Sequence, residues 1–180
     1  MGRTDQAYKL AKERYAAIGV DTERALNRIE KVRVSFNAWQ FDDVKGFLKK
    51  DTPMNGGILS TGSYPGAATN PDQLRLDADK AFSLIPGRHK LSLQATQADT
   101  SEKIDLDEIE PRHYQGYVDW ARERGIGLDF NPSCYAHPKS EKGFTLSSSD
   151  SGIRDFWIEH CRRSSTVGEY FGRERKSTRL

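Results

Sequence analysis

The stretch that decides the fold runs from residue 126 to residue 138 and reads Ile-Gly-Leu-Asp-Phe-Asn-Pro-Ser-Cys-Tyr-Ala-His-Pro. Its apolar run ends at Asn131-Pro132, because proline lacks the amide hydrogen that a strand needs and biases the preceding residue toward an extended or turn conformation. The polar and aromatic residues that follow are Ser133, Cys134, Tyr135 and His137. This pattern predicts a buried strand that delivers functional side chains onto a loop at its carboxyl end, where α/β sheets and barrels place their active sites.

Helices and strands alternate along the rest of the chain. In chain order the predicted elements are a helix at 4–18, a helix capped by Asp21, a strand at 32–36, a helix from Pro71, a strand at 90–95, a helix from Pro111, the strand 126–130, and a helix capped by Ser149 or Asp150. Strands that alternate with helices in this way form parallel sheets with right-handed crossovers. The fold class is therefore α/β.

Composition excludes several classes of partner. The formal net charge is only +2, and the basic residues are scattered apart from a cluster between Arg162 and Arg179. No nucleic-acid motif accompanies them, so we expect no nucleic-acid partner. No apolar run approaches the roughly 20 residues of a membrane span, and no secretory signal begins the chain. Cys134 and Cys161 have no metal-type spacing, which favours free thiols in a reducing cytoplasm.

Short blocks of distinctive residues occur along nearly the whole chain, from about residue 5 to residue 172. The blocks are Trp39-Gln40, Asp42-Asp43-Val44, Gly46-Phe47, Gly56-Gly57-Ile58, Thr61-Gly62, Tyr64-Pro65-Gly66, Leu84-Ile85-Pro86-Gly87, Gly127 to Cys134, His137-Pro138, Ile153-Arg154, Phe156-Trp157-Ile158, His160-Cys161 and Tyr170-Phe171-Gly172. Together, in this order, they resemble the N-terminal part of bacterial L-rhamnose isomerase. So many ordered blocks make the resemblance far more specific than any single motif.

The resemblance implies a fold, a reaction and partners. The family is similar in fold to xylose isomerase, so this chain would form the first three βα units of an incomplete (β/α)₈ TIM barrel, preceded by two N-terminal helices. The family is an aldose–ketose isomerase that interconverts L-rhamnose and L-rhamnulose in the cytoplasm. It uses a pair of divalent ions, usually manganese, to polarise the sugar oxygens for a hydride shift. Its members are typically homotetramers.

Four residues are candidates for sugar binding. The resemblance makes Trp39 a wall of the sugar pocket, with an ordinary buried aromatic as the alternative. It places Tyr135 against the substrate methyl group, with a loop aromatic that covers the barrel rim as the alternative. Asn131 would either hydrogen-bond a sugar hydroxyl or, the interpretation we favour, shape the turn before Pro132. Gln94 is the fourth candidate.

Gln94 stands where the family usually has a histidine that lies by the sugar ring oxygen and assists ring opening. Glutamine donates and accepts hydrogen bonds but does not titrate near neutral pH. General acid–base help is typically worth about 10²–10⁴-fold, so Gln94 would bind sugar without that assistance. Asn37 also replaces a histidine of the family pattern. No catalytic residue is assigned.

The family's chain continues well beyond this one, and its metal ligands lie in the part that is missing here. We therefore expect residues 1–172 to be the N-terminal part of the barrel domain and residues 173–180 to be a disordered basic tail. A barrel of about 250 residues needs eight strands to close, and three leave an exposed edge that aggregates or pairs with a missing half. The expectation is an isomerase fragment, truncated or frameshifted, that binds no metal and is inactive alone. The alternative is a non-catalytic remnant or one subunit of a split sugar isomerase.

The remaining candidates favour structural roles. His137 precedes a proline and His160 lies on the apolar side of the last helix, which favours packed histidines over metal ligands. His89 and His113 are predicted to be exposed. No two histidines have ligand spacing. Asp129 lies inside an apolar strand, so a buried carboxylate there would need a partner, and a nearby arginine or backbone amides would suffice.

Overall fold

The chain divides into two compact units. A computed structural model describes residues 2–38, 46–48, 68–135 and 137–177. One unit holds the residues up to Val34 together with Pro86–Arg88, and the other holds Ser35–Ile85 and the residues from His89 onward. The single domain that the sequence predicted over residues 1–172 stays a prediction. No helix in the described ranges is long and apolar enough to cross a membrane.

The first unit is a pair of helices, α1 (Arg3–Ala17) and α2 (Thr22–Ile29). Asp21 caps α2 as predicted, because its side chain accepts a hydrogen bond of 3.0 Å from the backbone N–H of Arg24. Glu23 joins the helices by accepting from the Tyr8 hydroxyl at 3.0 Å and from Lys12 Nζ at 2.8 Å. Neither helix buries a residue. Polar contacts at the surface therefore join the pair.

The elements that follow confirm the α/β class with a three-stranded parallel sheet. They are β1 (Arg33–Asn37), α3 (Pro71–Leu84), β2 (Arg88–Gln94), α4 (Gln115–Arg124), β3 (Gly127–Asn131) and α5 (Ser151–Ser177). The strand order is β1-β2-β3, and β2 pairs in parallel with β3. Each predicted strand is present within two residues of its predicted ends.

Local capping explains where the helices begin and end. The Asn70 side chain accepts from Gln73 N at 3.0 Å, and Pro71 occupies the first turn of α3. Gly125 ends α4 with φ +63°, a left-handed conformation that glycine adopts without a side-chain penalty. The predicted helix from Pro111 differs in detail. Its first turn, Pro111–Tyr114, is a 3₁₀ turn, and the α-helix begins only after it.

The core lies between the sheet and helices α3, α4 and α5. Its largest fully buried apolar side chains are Leu74, Leu91, Leu93, Ile109, Tyr114, Tyr117, Trp157 and Val167. Full burial of one large apolar side chain contributes about 1.5–3 kcal/mol. Tyr114 packs edge-to-face against Phe130 of β3 with ring centroids 5.1 Å apart, and Phe130 packs in the same way against Phe171 of α5 at 5.7 Å. These rings join the helices to one face of the sheet.

The basic segment after Gly172 differs from the prediction. Residues 173–177 continue α5, whereas the sequence predicted a disordered tail from residue 173. Glu174 accepts from Arg122 of α4, and Arg173 pairs with Glu169 one turn earlier at 3.3 Å. Such pairs stabilise a helix end that lacks apolar residues. The rest of the predicted tail, 178–180, lies outside the described residues.

Candidate functional site

The sheet has one apolar face and one polar face. Paired residues of neighbouring strands point to the same side of a sheet, and successive residues alternate between its sides. Leu91 and Leu93 share their face with Phe130, which packs against the helices. The pairs on the opposite face are Lys90 with Gly127, Ser92 with Asp129, and Gln94 with Asn131. That face is therefore a row of polar side chains.

An ion pair lies within this polar row. Lys90 Nζ is 2.8 Å from Oδ1 and 3.1 Å from Oδ2 of Asp129, and the lysine side chain is 19% exposed. The sequence predicted that a buried Asp129 would need a partner, for which an arginine or backbone amides would suffice. The observed partner is a lysine on the neighbouring strand, because parallel register brings the two side chains together across β2 and β3.

Gln94 ends the row at the carboxyl edge of the sheet. The residue is 2% exposed. Its Oε1 accepts from the Ser133 hydroxyl at 3.1 Å and from the Tyr135 hydroxyl. Its Nε2 is buried and has no hydrogen-bond partner among the described residues. A buried N–H group without a partner costs about 1–3 kcal/mol, so this nitrogen marks a place where an acceptor would be stabilised.

Local turns hold these side chains in place. β2 ends in a 3₁₀ turn, Ala95–Gln97, and Gln97 Oε1 accepts from the Gln94 backbone N–H at 2.9 Å. After β3, Asn131 Oδ1 accepts from Ser133 N at 3.0 Å, and Ser133 adopts φ +56°. Asn131 thus forms the turn that we favoured for it, and this turn aims the hydroxyl of Ser133 at Gln94.

The structure brings together three of the four predicted sugar-binding residues. Gln94 and Asn131 are register partners, and Tyr135 donates to Gln94. The fourth, Trp39, lies outside the described residues, as do Asp42 and Asp43. Asn37 ends β1 at the same edge of the sheet.

Sequence reasoning missed two contributors. Ser133 belongs to the polar cluster after β3, but no role was assigned to it. Gln97 gave no signal at all, because its contact depends on the 3₁₀ turn that follows β2. Ser133 directly follows the Asn131-Pro132 pair at the end of the strand, and this position could have singled it out.

Two histidine predictions are confirmed and two are wrong. His160 is fully buried, with Nδ1 2.8 Å from the Leu106 carbonyl oxygen and Nε2 against that of Pro132. His137 is buried, and its Nε2 lies 3.0 Å from Asp105 Oδ1. His89 and His113, which were predicted to be exposed, are 9% and 2% exposed.

His89 packs edge-to-face against Phe36 of β1 with ring centroids 5.6 Å apart, and a local turn orients His113. The His89 ring stacks on Phe82 with centroids 4.9 Å apart, and its Nε2 is 2.8 Å from the Ile85 carbonyl oxygen. His113 Nδ1 accepts from Glu110 N at 3.0 Å within the 3₁₀ turn.

Cys134 is not suited to nucleophilic chemistry. Cys134 and Cys161 are both free thiols, as predicted. Burial, with a smaller contribution from the neighbouring Cys161, raises the pKa of Cys134 to about 11. A thiol reacts as its thiolate, so Cys134 remains protonated and inert near neutral pH.

The described residues do not fit the manganese site that the resemblance implies. A divalent-ion site needs several oxygen or nitrogen ligands grouped around one point. Within residues 2–38, 46–48, 68–135 and 137–177, no three His, Cys, Asp or Glu side chains form such a group.

Comparison with known proteins identifies the family. The family model described as L-rhamnose isomerase (RhaA) matches residues 3–180. The chain belongs to the L-rhamnose isomerase family. This finding confirms the resemblance that the ordered sequence blocks carried, and the whole polar edge built from Gln94, Asn131, Ser133 and Tyr135 lies inside the matched region.

Curated relatives agree with this assignment. The L-rhamnose isomerase of Listeria monocytogenes serovar 1/2a is 54% identical over 176 residues, which cover 98% of this chain and 42% of the relative. That of Pectobacterium carotovorum is 47% identical over 170 residues, covering 94% of this chain and 40% of the relative. That of Escherichia coli O139:H28 is 46% identical over 170 residues, covering 94% and 41%. The chain thus spans about two fifths of the length of these relatives.

Proposed function

We propose that this chain supplies one edge of the sugar site of an L-rhamnose isomerase, the aldose–ketose isomerase that interconverts L-rhamnose and L-rhamnulose. The observation that carries the proposal is the buried Nε2 of Gln94, which has no acceptor among the described residues. A sugar hydroxyl or ring oxygen would supply the missing acceptor. Tyr135 would pack on the sugar, Asn131 would shape the turn that carries it, and Trp39 is proposed as a further wall of the pocket.

The arrangement of the sheet supports a barrel as the finer architecture. Helices cover one face of the sheet through contacts such as Phe130 with Phe171, and the other face carries the polar row. In a (β/α)₈ barrel, helices form the outer ring and the inward-pointing residues fill the interior, with active-site groups at the carboxyl ends of the strands. The polar row would then face the interior, and Gln94 and Asn131 would lie at the active-site end.

The chemistry of Gln94 supports binding rather than proton transfer at this position. Its carboxamide can donate to a sugar oxygen, but it neither takes up nor releases a proton near neutral pH. Since the described residues do not group into an ion site, we propose that any manganese-dependent step relies on ligands outside them. A homotetramer in the cytoplasm is the corresponding proposal for assembly and location.

The test combines an activity assay with a binding measurement. The 180-residue chain, supplied with manganese and L-rhamnose, is expected to form no L-rhamnulose. L-Rhamnose is expected to bind weakly, with a Kd on the order of 1 mM by calorimetry or NMR titration.

A matched pair of variants makes the binding test specific. Gln94→Met removes the buried amide and is expected to weaken binding about tenfold or more, since a hydrogen bond contributes about 0.5–1.5 kcal/mol and an unsatisfied partner costs more. Gln6→Met makes the same chemical change on the exposed helix α1 and should bind like the parent. Rhamnulose formation by the chain alone, or equal binding by Gln94→Met, would contradict the proposal.

A further inference from the structure

The orientation of the Gln94 carboxamide decides what its site can recognise. An amide oxygen has two lone pairs, and the Gln94 oxygen faces two hydroxyls. One is that of Tyr135, and the other is Ser133 Oγ at 3.1 Å, which also lies 3.3 Å from the Asn131 carbonyl oxygen. The remaining polar group is the NH₂, whose two N–H bonds have no acceptor among the described residues. The group left for a ligand is therefore a donor.

We propose that Ser133 and Tyr135 are positioning residues, which hold the Gln94 carboxamide with its oxygen turned toward their hydroxyls and its NH₂ toward the sugar site. The site would then select a neutral acceptor oxygen, an ether or hydroxyl oxygen of a sugar, at this point. This inference rests on the proposed function. It adds the residues that decide whether Gln94 presents a hydrogen-bond donor or an acceptor to the sugar.

Ser133 has a conformation that such a role explains. Its φ of +56° is unusual for a residue with a side chain, because the left-handed conformation brings Cβ close to the following carbonyl oxygen. The Asn131 side chain, which accepts from Ser133 N at 3.0 Å, holds this conformation in place. Strain of this kind persists only where surrounding structure enforces it, and it concentrates at functional sites. Here the strained conformation places Ser133 Oγ within hydrogen-bond distance of Gln94 Oε1. Ser133 itself is only 2% exposed.

A Gln94 carboxamide without these two hydrogen bonds would lose its selectivity for an acceptor oxygen. Without the two hydroxyls, the amide could rotate and present either its oxygen or its nitrogen to a ligand. A sugar oxygen that meets the amide oxygen gains no hydrogen bond. We therefore expect removal of either hydroxyl to weaken sugar binding by several-fold and removal of both by about tenfold, since each hydroxyl holds the amide through one hydrogen bond.

The first arm of the test uses the sugar-free chain and NMR. The side-chain resonances of Gln94 are assigned by their loss in Gln94→Met. In Tyr135→Phe, which keeps the aromatic ring, the side-chain carbonyl carbon of Gln94 is expected to shift while its two N–H resonances stay nearly in place. Ser133→Ala should act in the same way, and Tyr15→Phe on the exposed face of α1 should leave both unchanged. Shifted N–H resonances with an unmoved carbonyl carbon would overturn the proposed orientation.

The second arm measures L-rhamnose affinity for the same variants. Weaker binding by Tyr135→Phe and Ser133→Ala, with native spectra elsewhere, supports the positioning role. Unchanged affinity in both variants overturns it even if the orientation is as proposed. If neither the parent nor any variant binds L-rhamnose, the proposed function fails, whereas the orientation is still decided by the sugar-free spectra.

Discussion

Gly46 lies close to Thr96, which belongs to the 3₁₀ turn that follows β2, and a substitution at Gly46 tests this close approach. Its φ is +67°, and a Cβ built on it would lie 2.2 Å from the carbonyl oxygen of Thr96 and 2.5 Å from the carbonyl carbon and Cβ of the same residue. The next two N–H groups donate to this same oxygen, Phe47 at 2.7 Å and Leu48 at 3.3 Å. Backbone atoms rather than a flexible side chain occupy the space, so the neighbour cannot move aside cheaply.

Two costs add in the variant Gly46→Ala. The left-handed backbone costs a residue with a Cβ about 1–2 kcal/mol. Relief of the clash by displacement of packed atoms typically costs about 1–3 kcal/mol. The free energy of unfolding is therefore expected to fall by about 2–5 kcal/mol, with loss of the two hydrogen bonds to Thr96 as the structural consequence.

A second glycine separates the two costs. Gly143 has φ +77° and nothing within 4 Å of the position of its Cβ. Gly143→Ala should therefore lose only the backbone cost of about 1–2 kcal/mol. Urea denaturation followed by tryptophan fluorescence and circular dichroism measures both variants. Equal loss of stability in Gly46→Ala and Gly143→Ala would refute the close approach to Thr96.

Two further predictions concern buried polar groups. Tyr114 is fully buried and donates to the Ala95 carbonyl oxygen at 2.7 Å, and burial raises the pKa of its hydroxyl well above the ordinary value of 10.0. The unfolded chain ionises this group near 10.0 while the folded chain keeps it protonated, so its contribution to stability is present below that pH and is lost as pH rises above it. Urea unfolding at pH values from about 8 to 11 should show this decline, Tyr114→Phe should reduce it, and an identical decline in that variant would refute the assignment. His160→Leu removes the contacts of both ring nitrogens with backbone carbonyl oxygens and should cost about 2–4 kcal/mol. Arg162→Leu, at an exposed position of the same helix, should change the free energy of unfolding by less than about 0.5 kcal/mol, and similar losses in the two variants would count against the buried contacts.

Local capping and periodicity predicted the helices and strands correctly because their causes lie within a few residues. Asp21 and Asn70 each accept from a backbone N–H three residues ahead, and Gly125 ends α4 through its own backbone conformation. The structure departs from the prediction at residues 173–177, which continue α5. There, the helix continues through a pair between Glu174 and Arg122, which are 52 residues apart in the chain.

The sequence by itself determined that polar side chains follow two parallel strands, since strand ends and turn residues are local features. Asn131 and Tyr135 were found in this way, whereas Gln94 was found through the resemblance to the family. Only the tertiary structure decided that Gln94 lies opposite Asn131 and accepts from Tyr135, 41 residues away. It likewise decided that His89 is buried against Phe36 of β1, 53 residues earlier in the chain. Register and packing between distant segments set these contacts, because hydrogen bonds and burial depend on distances in space that the order of residues does not contain.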